Sequence, residues 1–213
     1  MLEIILYNTN NNIINLFIPG NEGWDYESVL PYFKKSEDNL DPIYYEDTKF
    51  HARGGYLSVS KFKYPDKNIK VLHNTFRELG YKEVDFNTED VMGYMTVQAT
   101  QRNGERMSTN RAFLKPIRNF RKNLKIVTNV RVVKVLIDQD GLSAYGIEYA
   151  LEKDRNVTGQ LFTKKEVILS AGVFNTPQLL MLSGIGPNET LSSLGIPIIK
   201  DLKVGYNLQD HAM

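Results

Sequence analysis

Val167-Ile-Leu-Ser-Ala-Gly-Val-Phe-Asn-Thr-Pro-Gln-Leu-Leu-Met-Leu-Ser-Gly-Ile-Gly-Pro187 reads as a buried strand, a tight bend and a short helix, with its punctuation in place. Val167 to Leu169 supply the apolar run, and Ser170, Ala171 and Gly172 let the backbone turn without side-chain crowding. Thr176 is placed to cap a helix whose first position is Pro177, where the missing N–H costs nothing. Gly184 and Gly186, followed by Pro187, stop it. A strand–bend–helix unit of this kind sets free helix N–H groups beside a bound anionic group.

Working outward, the chain downstream of Leu124 is rich in β-formers: Leu124 to Val127, Val130 to Ile137, Ala144 to Tyr149 and Lys165 to Leu169 read as strands. Turn chemistry joins them at Asp138 to Gly141 and Asn156 to Gly159. Upstream, Asp25 caps a helix over Tyr26 to Lys35, which Pro31 is expected to kink or restart. Gly54-Gly55 leads a strand through Ser60. Ile69, Leu72, Phe76 and Leu79 recur at helical spacing up to Gly80. Val91 to Thr100 is expected as a strand, and Ser108 caps a helix through Leu114 that Pro116 disrupts. Asn8 to Asn15, with five asparagines, show neither period, so residues 1–19 read as irregular. After Pro187 a short helix around Leu191 to Leu194 precedes Gly195 to Ile199.

The 213 residues, 42% hydrophobic and 24% charged, suit a globular protein with one substantial core or two small ones. A net charge of +1 offers no field for nucleic acid or an anionic membrane. No apolar run reaches the roughly 18–20 residues of a spanning helix. Met1 to Leu6 lacks the basic lead and cleavage site of a signal peptide. Without cysteine there are no disulfides, thiolate metal sites or cysteine nucleophiles. Asn156-Val-Thr158 and Asn188-Glu-Thr190 are glycosylation acceptor patterns and lean toward secretion, though the compartment stays open.

An assembled active site is not visible. His51, His73 and His211 show no i, i+4 zinc pairing, no acidic run has calcium-loop spacing, and no metal site is expected. There is no G-x-S-x-G, no Walker-type loop and no complete G-x-G-x-x-G. Arg111, Lys115, Arg118, Arg121, Lys122 and Lys125 lack aromatic interleaving and read as a solvated face.

The 167–187 stretch closely resembles the second signature of the glucose–methanol–choline (GMC) family of flavin oxidoreductases, S-A-G-A-x-x-[ST]-P-Q-L-L-x-x-S-G-I-G-P, departing at Val173. Gly20 to Asn39 is similar to the family's G-N-x-G-W-x-Y-x-x-V-L-P-Y-F-K-K-S-E-D-N, most like the insect glucose-dehydrogenase branch. Gly104 to Leu114 resembles G-x-R-x-S-x-x-R-A-F-L. The resemblance implies a mixed α/β (α+β) chain: part of a three-layer β/β/α FAD-binding domain with part of a substrate or lid region attached. It implies residues 20–100 on the lid side, 101–190 in the central FAD-binding part, and 191–213 at the start of the junction to a substrate domain.

Thr128-Asn-Val-Arg-Val132 resembles the family's T-N-A-x-V segment, which implies that the Val132 main chain contacts adenine. A donor and acceptor side by side suit the adenine edge. Ser170, Ala171 and Gly172 would let the adenosine half of FAD lie against the backbone, or would serve only close strand–helix packing. Val204 to His211 matches V-G-x-N-L-x-D-H, an ordering motif, while the family's base lies far downstream, so no catalytic residue is assigned and His211 is not the base. Arg106 and Ser108 take structural roles, Ser108 as a cap.

The family's N-terminal G-x-G-x-x-G and C-terminal histidine have no counterpart, so the chain reads as a central fragment. By resemblance, the full enzyme oxidises a CH–OH donor, a sugar or small alcohol, by hydride transfer to FAD, with a quinone or dye as acceptor. The alternative is a non-catalytic binding protein or remnant. Strands with absent neighbours would leave edges and an apolar face open, which predicts poor solubility.

Overall fold

The computed structural model describes residues 22–64, 66–138, 140 and 142–210. The irregular N-terminal segment and His211 therefore lie outside the described residues. The chain forms two compact units that meet between Leu124 and Lys125, where the sequence turns β-rich.

In the first unit, helix α1 (Tyr26–Ser36) begins at Asp25, whose carboxylate accepts from the Ser28 N–H at 2.9 Å. Pro31 lies inside this helix without ending it. The expected kink or restart is thus absent as a break. Proline at the sixth position removes only the bond to the Glu27 carbonyl, beside the helix start, where solvent can replace it. Strand β1 (Glu37–Asn39) follows, then the single turn α2 (Pro42–Tyr45), and β2 (Leu57–Lys61) lies parallel to β1. Helix α3 (Lys67–Glu78) is capped by the Asp66 carboxylate, which accepts from Asn68 N–H at 2.8 Å.

The strand expected over 91–100 is divided. Strand β3 (Lys82–Glu83) pairs with β4 (Gly93–Tyr94), and β5 (Gln98–Ala99) runs antiparallel to β2. A continuous run would have to serve one ladder; the two halves here serve different ones. β6 (Gln101–Arg102) and β7 (Glu105–Arg106) form a hairpin around Asn103 and Gly104, both at positive φ. Ser108 then accepts from the Arg111 N–H as expected, but the turn it opens, Asn110–Leu114, is π-helical.

The second unit is built on an antiparallel meander: β8 (Val130–Asp138), β9 (Ser143–Leu151) and β10 (Thr158–Phe162), in the order β10-β9-β8. Two expectations fail here. Residues 124–127 form no strand, and the pairing strand beyond β9 begins inside the Asn156–Gly159 turn that the sequence suggested. The shorter loop keeps Thr158 and Gly159 in register with Ala150 and Tyr149. Gly159 is permissive there for a packing reason: a Cβ on it would lie 2.7 Å from the Tyr149 ring, which rests over it. Helix α4 (Gly172–Leu182) packs beside β8. After it come β11 (Ile185–Gly186), α5 (Asn188–Ser193) and β12 (Lys200–Asp201), with β11 and β12 parallel. Val135, Leu136, Ala150, Leu179 and Leu191 form this unit's core.

Among the described residues, no helix is long and apolar enough to cross a membrane.

Candidate cofactor-side site

The bend at Ser170 to Gly172 differs from its sequence reading in two ways. Val167 to Leu169 join no ladder among the described residues, and Ile168 is 76% exposed. The expected buried strand is thus an unpaired segment among the described residues. Secondly, the helix starts at Gly172 rather than Pro177. Gly172 takes φ +93°, a left-handed value that only glycine adopts without strain, and this turns the chain into the helix five residues early. Thr176 therefore caps nothing ahead of it. Its hydroxyl accepts from the Ala171 N–H at 3.1 Å and pins the bend from inside the first turn.

Ser170, Ala171 and Gly172 are all exposed. A Cβ built on Gly172 meets nothing within 4 Å, so close strand–helix packing is not what requires a glycine here. The requirement is the sign of φ, and the space in front of the bend is open. The other end of α4 is closed. Ser183, 1% exposed, donates from its hydroxyl to the Leu179 carbonyl at 2.6 Å and accepts from the Val135 N–H at 2.8 Å. One hydroxyl thus ends the helix and fixes it to the outer edge of β8.

Val132 lies on β8 opposite Tyr149. The register shifts between Val132 and Lys134, so Val133 is an extra, bulged residue. Val135 opposes Ile147, and Ile147 and Tyr149 are two apart on β9. The bulge therefore brings Val132 onto the same face as Val135, which an unbroken strand would not do. That face borders an apolar hollow of about 150 Å³, lined by Val135, Ile137, Ala144, Val167, Leu169 and Leu180. Leu169 leads directly into Ser170. The structure thus places Val132 and the 170–172 bend in one unit, on the side of the sheet that this hollow borders, although Val132 does not itself line the hollow.

The first unit holds a polar cluster that the spacing of the histidines did not reveal. His51, 4% exposed, is held between two carboxylates: Nδ1 is 2.8 Å from Glu37 Oε1, and Nε2 is 2.7 Å from Asp85 Oδ2. Burial alone would lower its pKa, but the bonds to Asp85 and Glu37 outweigh burial and raise it to about 9. Burial likewise pushes the Asp85 carboxyl up, and the imidazolium with the Asn87 N–H brings it below its ordinary value. Asn39, fully buried, donates to Glu37 and accepts from Gln98 at 3.0 Å. With both ring nitrogens committed to carboxylates, His51 is a tie rather than a base. The signal for it was long-range: Glu37, His51 and Asp85 come from three segments with no local spacing rule. Beside it, Asp38 pairs with Arg102, whose Nε donates to Ser58 at 2.8 Å. Arg106 is exposed on β7. Among the described residues, no group of three or more His, Cys, Asp or Glu has metal-holding geometry.

Comparison with known proteins agrees with this layout. Glucose dehydrogenase (FAD, quinone) of Drosophila melanogaster is 42% identical over 193 residues, 90% of this chain and 30% of that protein. Ecdysone oxidase of Bombyx mori is 41% identical over 196 residues, 90% of this chain and 28% of that protein. The solved structure of an FAD-dependent oxidoreductase from Chaetomium thermophilum superposes with a TM-score of 0.78 at 29% identity, covering 91% of this chain and 34% of that one. The chain thus spans about 30% of the length of the curated relatives it matches. Its mixed α/β fold corresponds to part of such an FAD-binding enzyme. The family model for GMC oxidoreductases matches residues 18–213, which takes in the bend, the bulged strand and the polar cluster alike, and the chain belongs to the GMC oxidoreductase family.

Proposed function

We propose that this chain contributes cofactor-binding surface to an FAD-dependent oxidoreductase that acts on CH–OH donors, an alcohol or a sugar. Residues 101–190 take the cofactor side and residues 20–100 the lid or substrate side. The observation that carries the reading is the open bend: Ser170, Ala171 and Gly172 are exposed, and Gly172 has φ +93° with nothing within 4 Å of a built Cβ. A backbone so exposed, at the start of an 11-residue helix, presents N–H groups to an anionic or polar ligand.

Flavin, when bound, supplies the hydride acceptor for such a reaction. This chain's residues bind and orient. The Val132 main chain offers a donor and an acceptor to an adenine edge, and the bulge at Val133 aims them. Ser170 to Gly172 give the adenosine half a place to approach the backbone. Ser183 holds α4 against β8 and so fixes the spacing between these two contacts.

Flavin titration of the full-length protein, followed by fluorescence quenching, tests the reading. Ala171→Leu fills the space before the bend at an exposed position, so FAD affinity is expected to fall about tenfold or more with the melting temperature nearly unchanged. Unaltered affinity in that variant would remove the bend from the site. A flavin-saturated protein that no alcohol or sugar bleaches would favour binding without turnover.

A further inference from the structure

We infer that Asn156 is the acceptor of an N-linked glycan and that Asn188, in the second matching triplet, is not. The two triplets have the same chemistry, Asn-x-Thr, but the fold presents them differently. Asn156 lies at the tip of the β9–β10 hairpin. The loop satisfies its own main chain: Asp154 accepts from the Asn156 N–H through its carboxylate at 3.1 Å and from the Val157 N–H through its carbonyl at 3.0 Å. Leu151 N–H closes the hairpin onto the Val157 carbonyl at 3.0 Å. Asn156, Val157 and Thr158 are all exposed, and Thr158 opens an outer strand of the sheet. Asn156 is the third residue of the turn from Asp154 to Val157 and Thr158 is the first of β10, so the triplet spans an exposed turn-to-strand junction at which one enzyme can reach the carboxamide and the hydroxyl together.

Asn188 is the first residue of α5. Its main-chain N–H donates to Asp201 at 3.0 Å and its carboxamide oxygen accepts from Ser192 at 3.0 Å. The triplet is wound into a helical turn, where residues two apart point to different sides, so Thr190 is turned away from Asn188. Leu191, fully buried, follows in the same turn and holds it in place. Asn188 and Thr190 are themselves exposed, but a transferase could engage both only by unwinding this turn, giving up the Asp201 bond and the seat of Leu191, whereas the Asn156 loop needs no helix undone.

The transfer balances as follows. Asn156 Nδ2 forms a bond to the anomeric carbon of a lipid pyrophosphate-linked oligosaccharide. The bond from that carbon to the pyrophosphate oxygen breaks, the lipid pyrophosphate leaves, and the amide gives up one proton. The proposal therefore places the protein in a glycosylating compartment.

Peptide mapping of the full-length protein from its own source, deglycosylated enzymatically in ¹⁸O-water, tests it. The Asn156 peptide is expected as ¹⁸O-labelled aspartate and the Asn188 peptide unlabelled. An unlabelled Asn156 peptide, or a labelled Asn188 peptide, overturns the inference. In secretory expression, Asn156→Gln and Thr158→Val each should lose the mobility shift of one glycan, while Asn188→Gln loses none. Thr158→Val keeps a β-branched residue on β10, so the test survives if Asn156→Gln does not fold.

Discussion

His51 is where a single side chain decides the most. Its folded pKa of about 9 lies above the ordinary value of 6.5, so it stabilises the fold fully below about pH 6.5 and loses that contribution as pH rises through 9. Asp85 has the opposite sign: its contribution is present above its ordinary value near 3.8 and is lost as pH falls below it. Thermal melts between pH 6 and 10 should therefore show a falling midpoint, worth on the order of 2 kcal/mol across that window. In His51→Gln the fall over the same range should disappear. His51→Leu should cost more, about 3 kcal/mol at neutral pH, because Gln still donates to a carboxylate whereas Leu leaves the largely enclosed Glu37 and Asp85 with neither cation nor donor. Urea unfolding of the two variants measures the difference. The sequence hid this site because its members are brought together only by the parallel pairing of β1 with β2 and the loop at Asp85.

At the level of elements, α4 packs on β8 through Leu179 and is tied to it by one hydroxyl, that of Ser183. Ser183→Ala leaves the Val135 N–H buried and unpaired, and the expected loss is about 1–3 kcal/mol. The same variant should bind FAD more weakly, since the bend and Val132 lose their common frame; parallel urea and flavin titrations check both. Elements whose cause is local were legible in the sequence: the Asp25 cap of α1, the helical spacing of α3, and the β-rich runs that became β8 and β9. Those set by pairing were not. Leu124 to Val127 and Lys165 to Leu169 have strand composition but find no ladder, while Thr158 and Gly159, with turn composition, are drawn into one by Ala150 and Tyr149. The helix start at Gly172 was missed for another reason. Pro177 carries a strong N1 signal, yet a glycine at positive φ and a back-bonding Thr176 set the boundary earlier.

For the whole chain, much apolar surface stays uncovered: Phe174 is 73% exposed and Phe162 70% exposed, and the face of α3 with Leu72 and Leu79 is open. The helical spacing at 69, 72, 76 and 79 was read correctly: Phe76 stacks on the Tyr94 ring of β4, while Leu72 and Leu79 stay exposed. The 213-residue chain in isolation should therefore self-associate, and light scattering at increasing concentration should show mass growing beyond the monomer. A sharp monomeric profile would contradict this. The extra residue in β8 carries a last implication. Removing Val133 would let β8 pair with β9 without interruption from Val130 as far as Leu136, and α4 would still dock through Ser183. Residues 130–132 would keep their places opposite β9 but lose the added twist of the bulge, so a shortened protein could melt as well as its parent while presenting the Val132 main chain at a different angle.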